Sequence, residues 1–560
     1  MLLQNASSRL ISAAAIIVVT AIIDAAPEKC GWGQTRGARQ VTTEQNPSID
    51  RATELLQLGQ LDEAERAART AVNEEPRNGT AHAVLGIVLF QRGHADEAEQ
   101  HLRRALQINP KSVPALTNLA IVLTKTGRAD EAIRSLEAAL KIAPENADAA
   151  YNLSVLYLQT KSFDQAIGML DGLVKSAGGE TAADLRILLT LTSAYAAARR
   201  AHDAERLTKV IADRASGDPR VLFTLGLTLA DAGVYEQAAH FFEQVNELHP
   251  NTYEVLYNLG IAYYNLDRLD DAQNVLRQAA SLAPEKAETF YRLGLIASAQ
   301  NETERALGLW QQALKLRPDY AQVNFLIAEE LFKTRHLTGA LPFYEKAIVQ
   351  DPTQLAYHIR FGVTHFRLQH YAEARQIFEK ALARFRDNST LYYLIGYTAR
   401  AAGDYGDAIS AFKRALAIDP DNSEVIANLG FIASERGENA EAEALLKRAI
   451  ILNSKNFPAH YDLGRLLVRE KKFTEAIEVL ERGVSLVKND PGIHYQLFLA
   501  YSRLRKKPEA DRELAVFRQL DEEYKQREGV KPAGPMTKEA PRPPDLPDSI
   551  SPGADKRPPL

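Results

Sequence analysis

Cysteine, methionine and tryptophan are scarce in this sequence. Cys30 is the single cysteine among 560 residues, so no disulfide can form within the chain and no cysteine cluster can bind a metal. The 12 histidines are scattered along the chain and do not show the spacing of a ligand set. The sequence therefore predicts neither a disulfide-stabilised fold nor a metal centre, and we expect no cofactor.

The motifs of the common enzyme classes are missing as well. The chain has no H-E-x-x-H, no G-x-S-x-G and no G-x-x-x-x-G-K-[ST]. Residues 31–37, GWGQTRG, lack the spacing and the strand-turn-helix setting of a dinucleotide-binding loop. We therefore expect a protein that is not an enzyme.

An excess of positive charge is also absent. The chain has 67 lysines and arginines against 72 aspartates and glutamates, mixed along its length, and a formal net charge of -5 at pH 7. Binding to nucleic acid generally needs a basic surface. Nucleic acid is therefore not an expected partner.

One long apolar run lies near the N-terminus. Residues 10–23, LISAAAIIVVTAII, are shorter than the about 20 residues that span a bilayer, but they suit the core of a signal peptide. We interpret residues 1–26 as a signal peptide, with an uncleaved N-terminal anchor as the alternative, and residues 27–47 as a flexible linker. This predicts an exported protein, periplasmic or membrane-anchored and facing outward, which contacts a membrane only through this segment if it is uncleaved.

A repeat of 34 residues dominates the rest of the chain. Alanine recurs at this interval from Ala64 to Ala510, with one longer step of 38 residues between Ala166 and Ala204. Within each unit, apolar residues recur at intervals of three and four, the period of a helix, in two runs separated by a turn. Each unit is therefore predicted to be a helical hairpin.

Small residues mark two places in each unit. Glycine follows the first helix in six units, because the residue after a helix end favours a left-handed conformation, and Asp267 and Asn301 occupy this place in two others. The recurring alanines, and small first-helix residues such as Gly260, are predicted to lie where helices approach most closely. One hairpin cannot bury its apolar face alone, so neighbouring hairpins must stack into a solenoid.

The 34-residue pattern resembles the tetratricopeptide repeat. In one unit the matching residues are Leu259, Gly260, Tyr263, Ala272, Leu276, Ala279 and Pro284. The resemblance covers about residues 45–521 and about fourteen units. It implies an all-α fold, a right-handed α-solenoid of helix-turn-helix repeats whose first helices line a concave groove that holds peptides or partner proteins.

The repeats suggest a division of the chain. Residues 48–176 are expected to hold repeats one to four, residues 177–220 an irregular repeat with an insertion, and residues 221–528 repeats six to fourteen with a terminal capping helix. A bend or local break is expected near residues 177–187. Residues 529–560 are rich in proline and poor in apolar residues, so we expect a disordered tail.

The resemblance also implies which side chains face the groove. An aromatic row is expected at the fifth position of the first helices, and the alternative is that these rings only pack between adjacent first helices. Its members are Tyr151, Phe223, Tyr257, Tyr291, Phe325, Tyr393, Tyr461 and Tyr495. Asparagines able to clamp a peptide backbone occupy the sixth position at Asn118, Asn152, Asn258 and Asn428. Basic residues accumulate further along the chain at Arg292, Lys333, Arg360, Arg367 and Arg400.

These basic residues support two hypotheses. They could make bidentate contacts with the carboxylates of an acidic segment, or they could pair with acidic residues of the same face. We predict a non-enzymatic interaction scaffold for protein or peptide partners, in bacterial envelope assembly or secretion. The alternatives are a structural, self-associating solenoid that forms homo-oligomers, and an accessory subunit that carries substrate to a separate enzyme.

Overall fold

Every regular element in the described part of the chain is an α-helix. The structure is a computed structural model that describes residues 46–215 and 217–528. The chain divides into two compact units between Gln300 and Asn301. The fold is an all-α solenoid of helix-turn-helix repeats, as the sequence predicts.

The described part of the first unit contains seven helical hairpins and one further helix. The first helices of the hairpins are α1 (Pro47–Gln57), α3 (Gly79–Gln91), α5 (Val113–Lys125), α7 (Ala147–Gln159), α9 (Leu185–Ala197), α11 (Pro219–Asp231) and α13 (Tyr253–Asn265). The second helices are α2 (Leu61–Glu74), α4 (Ala95–Ile108), α6 (Ala129–Ile142), α8 (Phe163–Ser176), α10 (Ala201–Ala215), α12 (Tyr235–Leu248) and α14 (Leu269–Leu282). Helix α15 (Ala287–Ala299) ends the unit.

The described part of the second unit begins with a single helix, α16 (Thr303–Leu316), and continues with six hairpins. Their first helices are α17 (Ala321–Lys333), α19 (Leu355–Arg367), α21 (Ser389–Ala402), α23 (Ser423–Glu435), α25 (Phe457–Arg469) and α27 (Pro491–Arg503). Their second helices are α18 (Leu337–Gln350), α20 (Tyr371–Arg384), α22 (Tyr405–Ile418), α24 (Asn439–Leu452), α26 (Phe473–Leu486) and α28 (Lys507–Glu528).

The first helices form a row within each unit. A second helix packs against the first helix of its own hairpin and against that of the next hairpin, as α4 does with α3 and α5. Neighbouring first helices also contact each other directly, for example α3 with α5 and α23 with α25. We call the surface that the odd-numbered helices present in this row the first-helix face.

The two helices of a hairpin begin in different ways. Ten first helices have an N-cap whose side-chain oxygen accepts a backbone N–H, namely Asn46, Asn78, Ser112, Asn146, Asp184, Asp218, Asn388, Asn422, Asn456 and Asp490. Second helices such as α2 have no such cap and instead place acidic residues, here Asp62 and Glu63, in their first turn. Their negative charge interacts favourably with the positive end of the helix dipole.

The turn inside each hairpin depends on one residue in the left-handed conformation. The predicted turn glycines adopt positive φ, as do Asp267 and Asn301, which confirms the prediction. Six further residues at equivalent positions, none of them glycine, have φ between 58° and 64°: Lys161, Arg199, Arg335, Gln369, Lys471 and Arg505. The geometry of the hairpin therefore imposes this conformation even where the side chain disfavours it.

The closest approach within a hairpin lies between a first-helix glycine and a large side chain of the second helix. A Cβ added to Gly260 would lie 2.5 Å from Leu276 Cγ, and one added to Gly362 would lie 2.4 Å from a ring carbon of Phe378. These separations are far shorter than the about 3.5–4.0 Å of a normal carbon contact. The recurring alanines from Ala64 to Ala510 are also buried, with at most 4% exposure. The predicted role of small residues in close packing is confirmed.

The four-residue insertion produces a long connection between two hairpins. Helix α8 ends at Ser176 and α9 begins at Leu185. Arg214 of α10 donates hydrogen bonds to the backbone oxygens of Glu180 (2.8 Å) and Ala183 (2.7 Å) within this connection. This connection is longer than those between the other hairpins, and a side chain of the following helical hairpin stabilises it. The helices before and after it still pack against each other.

The last described helix is longer than its counterparts and packs on α27. His494 of α27 is buried, and its Nδ1 lies 2.6 Å from Glu513 Oε2 of α28 while its Nε2 lies 2.9 Å from the Lys488 carbonyl oxygen. Both partners are acceptors, so only the protonated imidazolium can donate to both of them. The hydrogen bond to Glu513 raises the pKa of His494 above its ordinary value.

Three predicted segments lie outside the described residues: the signal peptide or anchor over 1–26, the linker except for its last two residues, and the tail over 529–560. Among the helices between residues 46 and 528, none is both long and apolar enough to cross a bilayer.

We expect Gln369→Gly to stabilise its hairpin. A left-handed residue other than glycine costs about 1–2 kcal/mol, and the extra entropy of glycine in the unfolded chain costs about 0.5–1 kcal/mol, so the net gain is roughly 0.5–1 kcal/mol. Hydrogen exchange of the α19 and α20 amides measures the change. Gln369→Ala is the matched control and should give no gain, and equal protection in the glycine and alanine variants would show that the left-handed turn carries no strain.

We expect the anchoring of α28 to weaken as the pH rises. The raised pKa of His494 adds stability that is complete below its ordinary value of 6.5 and is lost as the pH passes through the higher value in the folded protein. Hydrogen exchange of α28, corrected for the intrinsic rate, should show a free energy of opening that falls as the pH rises above about 6.5. Glu513→Gln should abolish this trend, and a flat profile in the unmodified chain would refute the assignment.

Candidate functional site

The predicted aromatic row lies on the first helices, where its rings are partly or fully covered. Tyr291 and Tyr393 are buried, Tyr495 is exposed, and the other members are half-buried: Tyr151, Phe223, Tyr257, Phe325 and Tyr461. Phe325 stacks on Tyr357 of the next first helix, with 4.6 Å between ring centroids. These contacts agree with the packing interpretation of the row, and its ligand-binding interpretation stays a prediction.

Two further members of the row also contact neighbouring helices. The Tyr151 hydroxyl and Thr190 Oγ1, on adjacent first helices, lie 3.1 Å apart and share a hydrogen bond. Phe223 packs against Phe242 of its own hairpin, with 5.6 Å between centroids. The rings thus bind adjacent helices together while part of their surface remains exposed.

Most of the predicted asparagines use one side-chain group within their own helix. The Nδ2 atoms of Asn118, Asn258 and Asn428 donate to the backbone oxygen four residues earlier, at 2.7, 2.8 and 2.7 Å respectively. Each bond uses one of the two Nδ2 hydrogens, so the amide keeps a second N–H besides its oxygen, although the Oδ1 of Asn428 is buried. Asn152 lies half-buried at the same helical position, and the clamping of a peptide backbone by these asparagines stays a prediction.

Arg360 forms a buried ion pair with Glu329. Its Nε donates to Glu329 Oε1 at 2.7 Å, the Tyr344 hydroxyl donates to the same oxygen, and its guanidinium lies over the Phe332 ring, 4.2 Å from the centroid. Burial lowers the pKa of Arg360, but the Glu329 carboxylate outweighs it and the net shift is upward. Arg360 thus follows the second hypothesis, pairing within the face.

The other predicted cations have different surroundings. Lys333 is exposed, with its Nζ 3.7 Å from Glu330 Oε1. Arg367 lies over the Phe332 ring, 5.1 Å from the centroid, and in the first unit Arg292 lies over the neighbouring Tyr291 ring at 5.0 Å. Arginine stacking on aromatic rings is therefore common to several of these residues.

Arg400 lies over two aromatic rings of the second unit. Its guanidinium carbon is 4.5 Å from the Tyr397 centroid and 4.5 Å from the Phe431 centroid. Arg465 also lies over Phe431, at 5.2 Å, and forms an ion pair with Glu435 at 3.0 Å. Helices α21, α23 and α25 therefore bring these arginine and aromatic side chains together on consecutive first helices.

The aromatic partners of the arginines were not among the predicted site residues. Phe332, Tyr397 and Phe431 occupy the twelfth or ninth position of their first helices. The same family pattern that places the fifth position toward the groove also places these positions there. Their aromatic character at these groove-facing positions was the signal in the sequence that could have identified them.

Within residues 46–215 and 217–528, no group of three or more histidine, cysteine, aspartate or glutamate side chains is arranged to hold a metal ion.

Family models match most of the helical region. Three models, each described as "Tetratricopeptide repeat", match residues 123–185, 229–293, 399–451 and 433–500, residues 49–113, 291–354 and 359–423, and residues 101–134 respectively. The models leave residues 186–228 unmatched, and this stretch follows the insertion. A search of curated proteins finds no match.

Several solved structures show partial similarity. They include Naa15/Naa10 bound to HypK-THB (15% identity, 85% of this chain and 94% of that chain, TM-score 0.34), the APC/C hetero-tetramer Cut9-Hcn1 (14%, 80% and 95%, 0.33) and yeast Tom70 (15%, 84% and 98%, 0.33). With such low TM-scores the whole chains do not superimpose, and nothing about partners follows from these similarities.

Proposed function

The chain belongs to the tetratricopeptide repeat family, and from this premise we propose that it is a non-enzymatic scaffold that holds peptide segments of partner proteins along its first-helix face. Interaction with other proteins is the general role of this family. The finer proposal concerns which surface is used and by what chemistry.

The observation that carries this proposal is the accumulation of arginine and aromatic side chains on the first helices of the second unit. Arg367 lies over Phe332, and Arg400 and Arg465 lie over Phe431. Arginine and aromatic residues are enriched at the centres of protein interfaces, because they offer a large contact area and several hydrogen-bond donors. A strip that combines both is well suited to an extended peptide.

The packing of the hairpins supports the same surface. Large side chains of the second helices, such as Leu276 and Phe378, are buried in the hairpins and cannot contact a ligand. The first-helix face keeps half-exposed rings and polar groups in a row, including Tyr257, Asn258 and Tyr461. A row of this kind offers contacts at regular intervals along a bound chain.

We expect ligand peptides to cross-link to the first-helix face. Phage-displayed peptides would be selected on the full chain and then bound to variants with a photo-reactive benzoylphenylalanine at Asn258 or, as a matched control, at Arg277, an exposed residue on the second helix of the same hairpin. Cross-links from position 258 should exceed those from position 277. Failure to select any peptide, or equal cross-linking from both positions, would refute the proposed function, and cross-links between copies of the chain would favour self-association.

We propose in addition that the protein is exported and acts in bacterial envelope assembly or secretion. The support is the apolar run of residues 10–23, which is short for a membrane span and suited to a signal peptide. The protein would then bind its partners outside the cytoplasm.

We expect bacteria that produce the full sequence to place the protein in the envelope fraction with its first 25 or 26 residues removed. Fractionation followed by intact mass measurement tests this expectation. The variant Ile16→Lys with Val18→Lys should remain uncleaved inside the cell, because a charged run cannot act as a signal core. An uncleaved envelope protein would support the anchor alternative, and a cytoplasmic one would refute export.

A further inference from the structure

We propose that Arg400 binds the carboxylate of an aspartate or glutamate side chain in the peptide held by the first-helix face. This inference rests on the proposed function and assigns the ligand chemistry of one point on that face. It distinguishes Arg400 from Arg360, Arg465 and Arg469, whose guanidinium groups have acceptors within the protein.

The two rings beside Arg400 hold its guanidinium in a defined orientation. Tyr397 is one helical turn earlier on α21, Phe431 lies on the next first helix, and both centroids are 4.5 Å from the guanidinium carbon. Rings that cover a guanidinium plane leave the N–H bonds at its edge for an acceptor. Because the side chain is already ordered, it loses little entropy when a carboxylate binds in a bidentate manner.

Arg400 lacks the acceptor that neighbouring arginines have. Arg360 is bonded to Glu329, and Arg469 donates to the backbone oxygen of Ser434 at 2.9 Å. Within the described residues, Arg400 forms no ion pair, and its Nε is buried without a hydrogen-bond acceptor. A buried donor without a partner is costly and uncommon in native proteins. The two Nη groups of Arg400 are not among the buried atoms without a partner, so a carboxylate can approach the guanidinium from their side and supply the acceptor that Arg400 lacks.

The local charge favours a single carboxylate. Glu435 forms an ion pair with Arg465 at 3.0 Å, and Glu424 Oε1 accepts a hydrogen bond at 3.5 Å from the neutral Asn453 amide and keeps its charge. Within the described residues neither carboxylate forms an ion pair with Arg400, so its guanidinium has no direct counter-charge. An acidic side chain supplies one negative charge, whereas a phosphate group brings more charge than a single guanidinium balances.

A second incomplete polar group lies on the neighbouring helix. Asn428 is 8% exposed, its Nδ2 donates to the Glu424 backbone oxygen at 2.7 Å, and its Oδ1 is buried without a donor. Asn428 is one helical turn before Phe431, on the helix that faces Arg400. Because this oxygen is covered by protein, a peptide N–H can reach it only if neighbouring side chains move, so the contact to the peptide that we propose here is the one with Arg400.

The test uses peptides selected on the full chain by phage display. Their C-termini are fused to the coat protein, so any selected carboxylate belongs to a side chain. We expect the selection to be enriched in aspartate or glutamate at one position. Synthetic, C-terminally amidated copies of a selected peptide, with glutamate or with glutamine at that position, are then titrated against the chain by fluorescence anisotropy.

For the unmodified chain, the glutamine peptide should bind about tenfold more weakly than the glutamate peptide, as the loss of one charge-assisted hydrogen-bonded contact predicts. With Arg400→Gln, the two peptides should bind almost equally. Arg414→Gln, an exposed change on second helix α22, is the matched control and should keep the tenfold difference. Arg400→Lys keeps the charge but not the planar fork, and should give a smaller difference than the unmodified chain.

Three results separate the possibilities. If Arg400→Gln retains the full preference for glutamate, the assignment to Arg400 is overturned, and Arg400→Lys decides the same question should the glutamine variant not fold. If peptides bind without any acidic preference, the inference fails while the proposed function stands. If no peptide binds the unmodified chain, the proposed function itself fails.

Discussion

The hairpins depend on one contact, in which a glycine of the first helix packs against a large side chain of the second helix. Gly260 faces Leu276 and Gly362 faces Phe378 at distances that exclude a Cβ. Where the first-helix residue is an alanine, as at Ala328, it still packs in one cluster with a large partner, Tyr344. Such pairs set how closely two helices approach, and the same spacing is then repeated along the chain.

Because of this contact, the side chains that remain available for binding lie mainly on the first-helix face. Large side chains of the second helices are buried in the hairpin interiors, and each turn contains one residue with positive φ. The first-helix face has half-buried rings and polar side chains, such as Tyr257 and Asn258. In the second unit it also contains arginines whose pairing differs from residue to residue, from the buried ion pair of Arg360 to the uncompensated stacking of Arg400.

Much of the fold could be predicted from the sequence, because helix period, turn residues and repeat length are local properties. The helical hairpins, the longer connection after α8 and the glycine turns follow directly from them. The left-handed turns at Lys161 and Gln369 could not be predicted in this way, because nothing in those side chains favours the conformation and the packing of the two helices enforces it. The sequence also could not show the role of the aromatic row, because the same tyrosine can pack between helices or contact a ligand, depending on the neighbouring helix.

The sequence alone therefore determined that the chain is an array of helical hairpins, and through the family resemblance it predicted which first-helix positions face the groove. Only the tertiary structure decided which of those positions are engaged. Arg360 and Glu329 are 31 residues apart, as are Arg400 and Phe431, and each pair belongs to successive hairpins. The packing of one repeat against the next determines whether an arginine contacts a carboxylate or an aromatic ring. The sequence pattern of a single repeat does not contain this information.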